Sequence, residues 1–449
     1  MKENRDLTQG NIKKHLIRLT GPMIFGILGL TIFNLVDTYF VGLLGTNELA
    51  ALSFTFPIVL TFSSLTLGIS TGVTAVVSKA AGKSNSGELK ALIFDSLLLS
   101  LICVILFIGI GFLVLRPALT LMQADEEIVP IIMEYMVIWL PGLVFVVFPM
   151  VGNGIIRAMG DTKTPGIVMI IAATVNAVLD PLFIFGIGPF PELGVAGAAL
   201  ATLIGRFITF SVALYVLMKR DHVLVLQKRK FREMVGNWKE ILTVAIPAGL
   251  SRIILPIGSG IITGLIAAYG VASVAGFGIA AKIEGFIIIV AGAMASVIVP
   301  FSGQNIGAKK FDRVKRFFNY SNKFVLLLQG GLFAVLLISA PFIAGLFSKD
   351  AQVVRVAVLY LRIVSIAYGA KGIILLSSAL LNVMRRPLIA AAVNLGQMFI
   401  VFVPLALLGD MMFGMTGIFI ALALSLVIAG GAAWKLADNR LKKIMAQAD

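Results

Sequence analysis

Cysteine and histidine are nearly missing from this sequence. Its 449 residues contain one cysteine, Cys103, and two histidines, His15 and His222. A lone cysteine excludes an intrachain disulfide and any metal cluster built from several cysteines. The two histidines lie far apart in the sequence, each among basic residues, so we interpret them as solvated loop residues rather than metal ligands. Neither residue type therefore points to a metal-based function.

Charged residues are also scarce, at 13% of the chain against 59% hydrophobic residues. A soluble domain typically carries about 25% charged residues, so most of this surface cannot face water. A membrane-spanning helix needs roughly 20 apolar residues, and the chain has room for about a dozen. Breaks in the apolar pattern predict twelve spans, near residues 14–43, 48–78, 91–116, 128–156, 164–187, 194–218, 240–269, 272–300, 318–346, 352–382, 387–409 and 413–434.

The formal net charge is +15, which in a soluble protein would suggest a nucleic-acid partner. Most of the 37 basic residues, however, fall in the amino-terminal segment, the tail and alternate loops between the predicted spans. The opposite loops carry only Arg116, Lys349 and Arg355. The positive-inside rule then places the basic loops and both termini in the cytoplasm. Topology accounts for the charge, and we predict no nucleic-acid partner.

The two halves of the chain resemble each other. Pro22 pairs with Pro247, and Tyr135 pairs with Tyr360 at the same spacing. Because each repeat contains six predicted spans, both halves begin and end on the same side, which predicts two parallel six-helix bundles. Paired halves of this kind are typical of transporters that alternate access to a substrate. The predicted organisation is an N-terminal lobe at 1–218, a cytoplasmic linker at 219–239, and a C-terminal lobe with its tail at 240–449.

Two acidic residues lie deep within predicted spans of the first half. Asp37 belongs to the first span and Asp180 to the fifth, where Asn176 lies one helical turn earlier on the same face. An ionisable group at mid-bilayer costs roughly 2.5–3.5 kcal/mol on insertion scales, which favours a functional role. We interpret the two acids as a proton or Na⁺ site; the alternative is a pair of structural hydrogen-bonding acids. Asn153 and Thr202 in neighbouring spans supply either further oxygen ligands or packing contacts.

The second half carries one deep acid, Glu284, and four intramembrane bases: Arg252, Lys282, Arg362 and Lys371. We expect Glu284 to neutralise one or two of these bases. A buried charge network is the favoured interpretation, and contact with a substrate is the alternative. The ion chemistry is therefore expected mainly in the first half of the chain.

Several motifs of enzymes are missing from the sequence. It has no Walker A motif, so ATP is not the predicted energy source. It also offers no Ser/His dyad and no histidine ligand set, so we predict that the protein is not an enzyme and needs no cofactor beyond a coupling ion. A small-molecule substrate, membrane lipids and a monomeric state complete the prediction.

The sequence resembles the multidrug and toxic compound extrusion (MATE) family, in its prokaryotic DinF-like branch. The resemblance rests on the two six-span repeats and on the stretches VDTYFVGLLGTNELAALS, RAMGDTKTP, NAVLDPLFIFG and GVAGAALAT. It implies an all-α membrane protein of twelve transmembrane helices in two parallel six-helix bundles arranged as a V. It also implies a cation-coupled antiporter that exports amphipathic, often cationic organic compounds across the prokaryotic cytoplasmic membrane.

The resemblance also assigns roles to individual residues. It implies that these positions match the family's cation site: Asp37, Asp180, Asn176, Asn153 and Thr202. Tyr135 matches a tyrosine near that site, and Pro22 matches the position where the first helix is proposed to bend on protonation. A proton is the expected coupling ion, and Na⁺ bound by Asp37, Asn176, Asp180 and Thr202 is the alternative.

One further alternative is a flippase for lipids or lipid-linked oligosaccharides from the same superfamily. Fourteen spans or a strongly cationic cavity would favour it. The sequence predicts twelve spans instead, and the acids of the first half argue against it.

Overall fold

The computed structural model describes residues 5–44, 46–83, 86–121, 128–225 and 230–447, and these residues are almost entirely helical, with no β-strand among them. The helices of the first half are α1 (Ile12–Gly42), α2 (Thr46–Gly82), α3 (Ser86–Leu121), α4 (Val129–Gly142), α5 (Val144–Ala158), α6 (Lys163–Phe185) and α7 (Gly194–Tyr215). Those of the second half are α8 (Phe231–Ala267), α9 (Val271–Gly307), α10 (Phe311–Phe347), α11 (Ala351–Val364), α12 (Tyr368–Val383), α13 (Pro387–Leu395), α14 (Val403–Phe413) and α15 (Met415–Ala446).

The described helices account for the predicted spans. Eleven segments are long and apolar enough to cross a membrane, and the number rises to twelve when one bent helix pair counts as a single span. Two predicted spans are composite: a 3₁₀ turn at Ser365–Ala367 joins α11 to α12, and a π-helical stretch at Gly396–Phe402 joins α13 to α14. The prediction of an all-α membrane protein with twelve spans is confirmed.

The bent pair consists of α4 and α5, which meet at an angle of 41°. Pro141 lies in the last turn of α4 and has no N–H to donate to the preceding turn. The N–H of Leu143 instead donates to the carbonyl of Leu140 at 3.1 Å. A proline of this kind is the commonest cause of a sharp helix bend, so the sequence Leu-Pro-Gly explains why this span is broken.

Packing divides the described residues into two compact units. The first unit comprises the described part of Met1–Asp6 together with Gly21–Gly249. Its core is apolar and draws on α2, α3, α4, α5 and the π-helical turn that follows α7. Fully buried members of this core are Val73, Ile93, Leu140, Val151 and Leu217.

The second unit comprises Leu7–Thr20 and Leu250–Asp449 in their described parts. Tyr368, Phe402 and Phe419 are fully buried in its core. The unit boundaries differ from the predicted lobes, since Leu7–Thr20 packs with the C-terminal helices and the first half of α8 packs with the N-terminal ones. The predicted linker is described only in part, because residues 226–229 lie outside the described residues.

Leu7 shows why the amino-terminal segment joins the second unit. Its side chain is fully buried, and its N–H donates to the Oε1 atom of Gln304 at 3.0 Å. The Nδ2 atom of Asn305 donates to the carbonyl of Leu7, also at 3.0 Å. These partners are two side chains nearly 300 positions away, so no local pattern in the segment could indicate them.

An ion-pair cluster lies within the first unit, where the stretch RAMGDTKTP meets the end of the sixth span. Arg220 donates to Asp161 at 2.8 Å, to Asp221 at 2.9 Å and to the hydroxyl of Thr164 at 2.6 Å. Arg5 donates to Asp221 at 2.8 Å and lies 3.3 Å from Asp161. Two carboxylates and two guanidinium groups thus balance each other and join three distant segments of this unit.

This cluster predicts a pH dependence of stability. Burial alone would raise the pKa of Asp221, but the hydrogen bonds and positive charges of Arg220 and Arg5 outweigh it and lower the pKa below its usual range. A carboxyl with a depressed folded-state pKa stabilises the fold above the unfolded-state value of about 3.9, and this contribution is lost as the pH falls through the folded-state pKa. We expect Asp221→Asn to cost about 1–2 kcal/mol at pH 7.

Thermal unfolding followed by tryptophan fluorescence at pH 7 and at progressively lower pH would measure this effect. The deficit of Asp221→Asn should shrink as the pH falls below about 4, where the carboxyl of the unfolded wild type becomes neutral, and should vanish below the folded-state pKa. Asp438→Asn is the control. Among the described residues, Asp438 pairs with the exposed Lys442 one turn away on α15, and a pair with an exposed lysine contributes little. A deficit that stays constant with pH would contradict the assignment.

Candidate functional site

Helix α6 carries two of the predicted site residues on one buried face. Asn176 is 3% exposed and Asp180 is fully buried. Their spacing of four residues places both side chains on the same side of the helix. The helix continues through Pro181 and ends at Phe185. The residue that caps it, Gly186, has a positive φ of 65°, which suits a residue without a side chain.

Asp180 is buried without any hydrogen-bond donor from the described residues. Both of its carboxylate oxygens lack a partner, and so does the Oδ1 atom of Asn176. The Nδ2 atom of Asn176 donates to the hydroxyl of Thr202 on α7 at 3.3 Å. Buried polar atoms normally have hydrogen-bond partners, so a buried carboxylate with two unpartnered oxygens is unusual. A bound proton or cation would offset the cost of burying its charge.

Asp37 and Tyr135 belong to the same neighbourhood. Asp37 on α1 is partly buried and interacts electrostatically with Asp180. Tyr135 on α4 interacts with both carboxyl groups and with Arg206 on α7. The structure therefore brings together four helices of the first unit around two carboxyl groups, a phenol and one guanidinium group.

Asn153 on α5 is 7% exposed. Its Oδ1 atom has no hydrogen-bond partner among the described residues. The structure gives no contact that ties it to Asp180, so its part in the cation site stays a prediction.

The remaining oxygen atoms of the predicted site belong to carboxylate, amide and hydroxyl groups. These are hard ligands, suited to a proton or to Na⁺.

A close contact holds α1 against α6, the two helices that carry Asp37 and Asp180. A Cβ atom added at Gly166 would lie 2.4 Å from the carbonyl oxygen of Pro22, and one added at Gly26 would lie 3.0 Å from the Cα atom of Gly166. Only glycine permits this approach. Pro22 itself lies within α1, which runs as one helix from Ile12 to Gly42, so the predicted role of Pro22 in a protonation-dependent bend stays a prediction.

In the second unit, Glu284 on α9 is the centre of a polar cluster. It is 7% exposed, and it accepts hydrogen bonds from the hydroxyl of Tyr360 on α11 and from the ammonium group of Lys371 on α12. The ammonium side chain of Lys371 keeps 32% of its surface exposed. The carboxylate is thus paired and hydrogen-bonded, unlike Asp180 in the first unit.

The other predicted members of this network lie elsewhere. Lys282 is exposed, because a residue two positions from Glu284 points to the opposite side of the same helix. Arg252 is also exposed, and the exposed Arg362 donates to the carbonyl of Leu337 at 3.1 Å. The structure therefore brings Lys371 to Glu284 and gives no described ion pair between Glu284 and the other three bases.

Tyr360 was missed as a site residue, although the internal repeat contained a signal for it. The repeat pairs Tyr360 with Tyr135, and each tyrosine lies beside a buried carboxyl group in its own unit. In both halves a tyrosine therefore interacts with a carboxyl group, through electrostatics at Tyr135 and through a hydrogen bond at Tyr360. They differ in the partner of the carboxylate: among the described residues, Glu284 is bound by Lys371, whereas Asp180 has no hydrogen-bond partner.

Comparison with known proteins agrees with this architecture. The MatE family signature matches residues 22–182 and 247–408. A Shewanella oneidensis protein described as an FAD transporter is 35% identical over 446 residues, which is 99% of each chain. The probable multidrug resistance protein YpnP of Bacillus subtilis is 26% identical and covers 96% of this chain and 95% of its own. The bent form of VcmN, a MATE transporter of Vibrio cholerae, superposes with a TM-score of 0.91 at 30% identity, covering 96% of this chain and 98% of the other.

Proposed function

Since this chain belongs to the MATE family of multidrug efflux transporters, we propose that it exports amphipathic, often cationic organic compounds in exchange for an incoming cation. Family membership makes it a transporter rather than an enzyme, integral to the bacterial cytoplasmic membrane and acting on small molecules. We place both termini in the cytoplasm, in agreement with the distribution of basic residues. A single chain holds both halves of the repeat, which supports a monomer.

The proposed coupling rests mainly on the burial of Asp180 and on its lack of a described hydrogen-bond donor. Its two oxygens are buried without a described donor, and the carboxyl group of Asp37 interacts with it. Two carboxylates that approach each other in a dry environment repel, and binding one proton or one Na⁺ relieves that repulsion. We propose a proton as the coupling ion, with Na⁺ at the same oxygens as the alternative.

Transport driven by gradients would test this proposal directly. The purified protein would be placed in proteoliposomes loaded with ethidium, and a pH gradient and a Na⁺ gradient would be imposed separately. We expect the pH gradient to accelerate ethidium release, because proton entry favours the protonated form of the acid pair. Release driven only by Na⁺ would select the alternative ion, and release that neither gradient changes would overturn the proposed coupling.

A second substrate class is an anionic dinucleotide such as FAD. Two observations favour it: the Shewanella relative is described as an FAD transporter, and the partly exposed Lys371 together with the exposed Arg252 and Lys282 gives the second unit basic groups. The same proteoliposomes loaded with FAD would decide between the classes, since FAD release is followed by its own fluorescence. Release of FAD without release of ethidium would show that the substrate is an anionic dinucleotide and not an amphipathic cation.

The flippase alternative has less support. The described helices supply eleven or twelve spans rather than the fourteen that would favour it. The unpartnered carboxylate of Asp180 also suits a cation better than a pyrophosphate group.

A further inference from the structure

A groove of about 530 Å³ lies on the surface of the second unit. Its walls come from α10, α12 and α15. Leu326 and Ile373 contribute apolar surface, and Asn322, Lys323 and Trp434 contribute the polar and aromatic edge. The groove therefore combines a long apolar face with a small number of polar groups, as sites for amphiphilic ligands do.

Asn322 is the first sign that the groove has an occupant. The residue is only 5% exposed, yet both its Nδ2 and Oδ1 atoms lack a hydrogen-bond partner among the described residues. A buried amide left unsatisfied costs about 1–3 kcal/mol for each group. Since Asn322 lines the groove, a ligand there that both accepts and donates hydrogen bonds would remove this cost.

Two adjacent glycines in α15 form the groove. A Cβ atom at Gly430 would lie 2.9–3.1 Å from three atoms of Ala370, so this glycine permits α15 to pack closely against α12. A Cβ atom at Gly431 would meet nothing within 4 Å, so this glycine faces open space. The first glycine thus closes the helix contact, and the second leaves room beside it.

The groove lies at the depth where lipid head groups are expected. The predicted spans 318–346 and 413–434 have their cytoplasmic ends near residues 318 and 434. These ends lie close to the polar edge of the groove and to Trp434. Tryptophan is enriched at this interface. Lys323 and Lys435 are both exposed there, and the nearby carboxylate of Asp438 is bound to Lys442 at 2.6 Å. The edge of the groove is therefore positively charged.

We propose that this groove binds one molecule of an anionic glycerophospholipid. Its phosphate is attracted by Lys323. Its head group exchanges hydrogen bonds with the amide of Asn322 once that side chain turns toward the groove. One acyl chain lies along Leu326 and Ile373. This site is independent of the coupling ion and of the exported compound.

Native mass spectrometry of the purified full-length protein would test the site. The protein in detergent would be titrated with phosphatidylglycerol, and in parallel arms with phosphatidylcholine and with inorganic phosphate. We expect one tightly retained phosphatidylglycerol, at least about tenfold weaker retention of phosphatidylcholine, and no retained phosphate, because the acyl chain supplies most of the binding free energy.

Gly431→Leu fills the groove and should abolish that retention, since the new side chain enters open space at a helical position without strain. Gly345→Leu is the matched control, because Gly345 also faces open space but lies at the other end of α10. Lys323→Gln, a change at an exposed residue that leaves folding intact, should remove the preference for phosphatidylglycerol over phosphatidylcholine. Retention unchanged by Gly431→Leu, a preference unchanged by Lys323→Gln, or equal retention of both lipids in the wild type would overturn the proposal.

Discussion

Asp180→Asn is expected to abolish gradient-driven efflux while the protein remains folded. The substitution keeps the shape of the side chain and removes its capacity to bind a proton or Na⁺. Both carboxylate oxygens lack a described hydrogen-bond donor, so folding loses no hydrogen bond. A neutral amide is also less costly than a carboxylate at this depth in the membrane. We expect the acceleration of efflux by the imposed gradient to fall at least about tenfold below that of the wild type. A tenfold loss corresponds to about 1.4 kcal/mol of coupling free energy.

The proteoliposome assay with imposed gradients measures this loss, and thermal unfolding confirms that the variant is folded. Asp37→Asn should lose coupling in the same way, because the two carboxyl groups interact. Asp95→Asn is the control: Asp95 is another fully buried acid of the first unit, but it accepts a hydrogen bond from Asn237 at 2.7 Å, which asparagine can still accept. Full gradient-driven efflux by Asp180→Asn would refute the assignment of the coupling site.

Gly166→Ala should have the second largest effect, on stability and coupling together. The added methyl group would lie 2.4 Å from the carbonyl oxygen of Pro22 and 2.9 Å from its carbonyl carbon. These are backbone atoms that cannot move aside alone, so α1 must shift away from α6. Overpacking of this kind costs about 1–3 kcal/mol, which corresponds to a fall in the unfolding temperature of about 2–10 °C. Because α1 carries Asp37 and α6 carries Asp180, we expect the shift to disturb the acid pair and weaken coupling.

A series of glycine-to-alanine variants separates this contact from the general effect of alanine in a helix. A Cβ atom at Gly21 in α1 meets nothing within 4 Å, so Gly21→Ala should be neutral or stabilising by up to about 1 kcal/mol. Gly26→Ala, at 3.0 Å from Gly166, should fall between the two. Thermal unfolding and gradient-driven efflux would be measured for all three variants. An unfolding temperature of Gly166→Ala at or above that of Gly21→Ala would show that the helices do not depend on this close approach.

The sequence predicted the class of protein well because membrane insertion depends on local composition. Twelve apolar stretches predicted twelve spans, and the described helices supply eleven or twelve. The bend between α4 and α5 has an equally local cause, the proline Pro141. The motifs that carried the resemblance to the MATE family were confirmed by the matches over both halves of the chain.

The site was predictable only as a set of residue types. Asp37, Asp180 and Glu284 stood out because a charge within an apolar span is costly. The sequence could not show that Lys371 rather than Lys282 pairs with Glu284, since that choice depends on a contact between α9 and α12. It also could not show that Tyr360 donates to the same carboxylate, although the repeat paired this tyrosine with Tyr135.

By itself, then, the sequence determined that the chain spans a membrane in two similar halves, and that Asp37 and Asp180 of the first half lie deep within predicted spans. Both properties follow from hydrophobicity along the chain and from the cost of placing a charge among apolar residues. Only the tertiary structure decided that the oxygens of Asp180 have no described partner while Glu284 is paired. It alone placed Leu7 with the C-terminal helices. These outcomes depend on distances between side chains far apart in sequence, which packing of the helices fixes and local pattern does not.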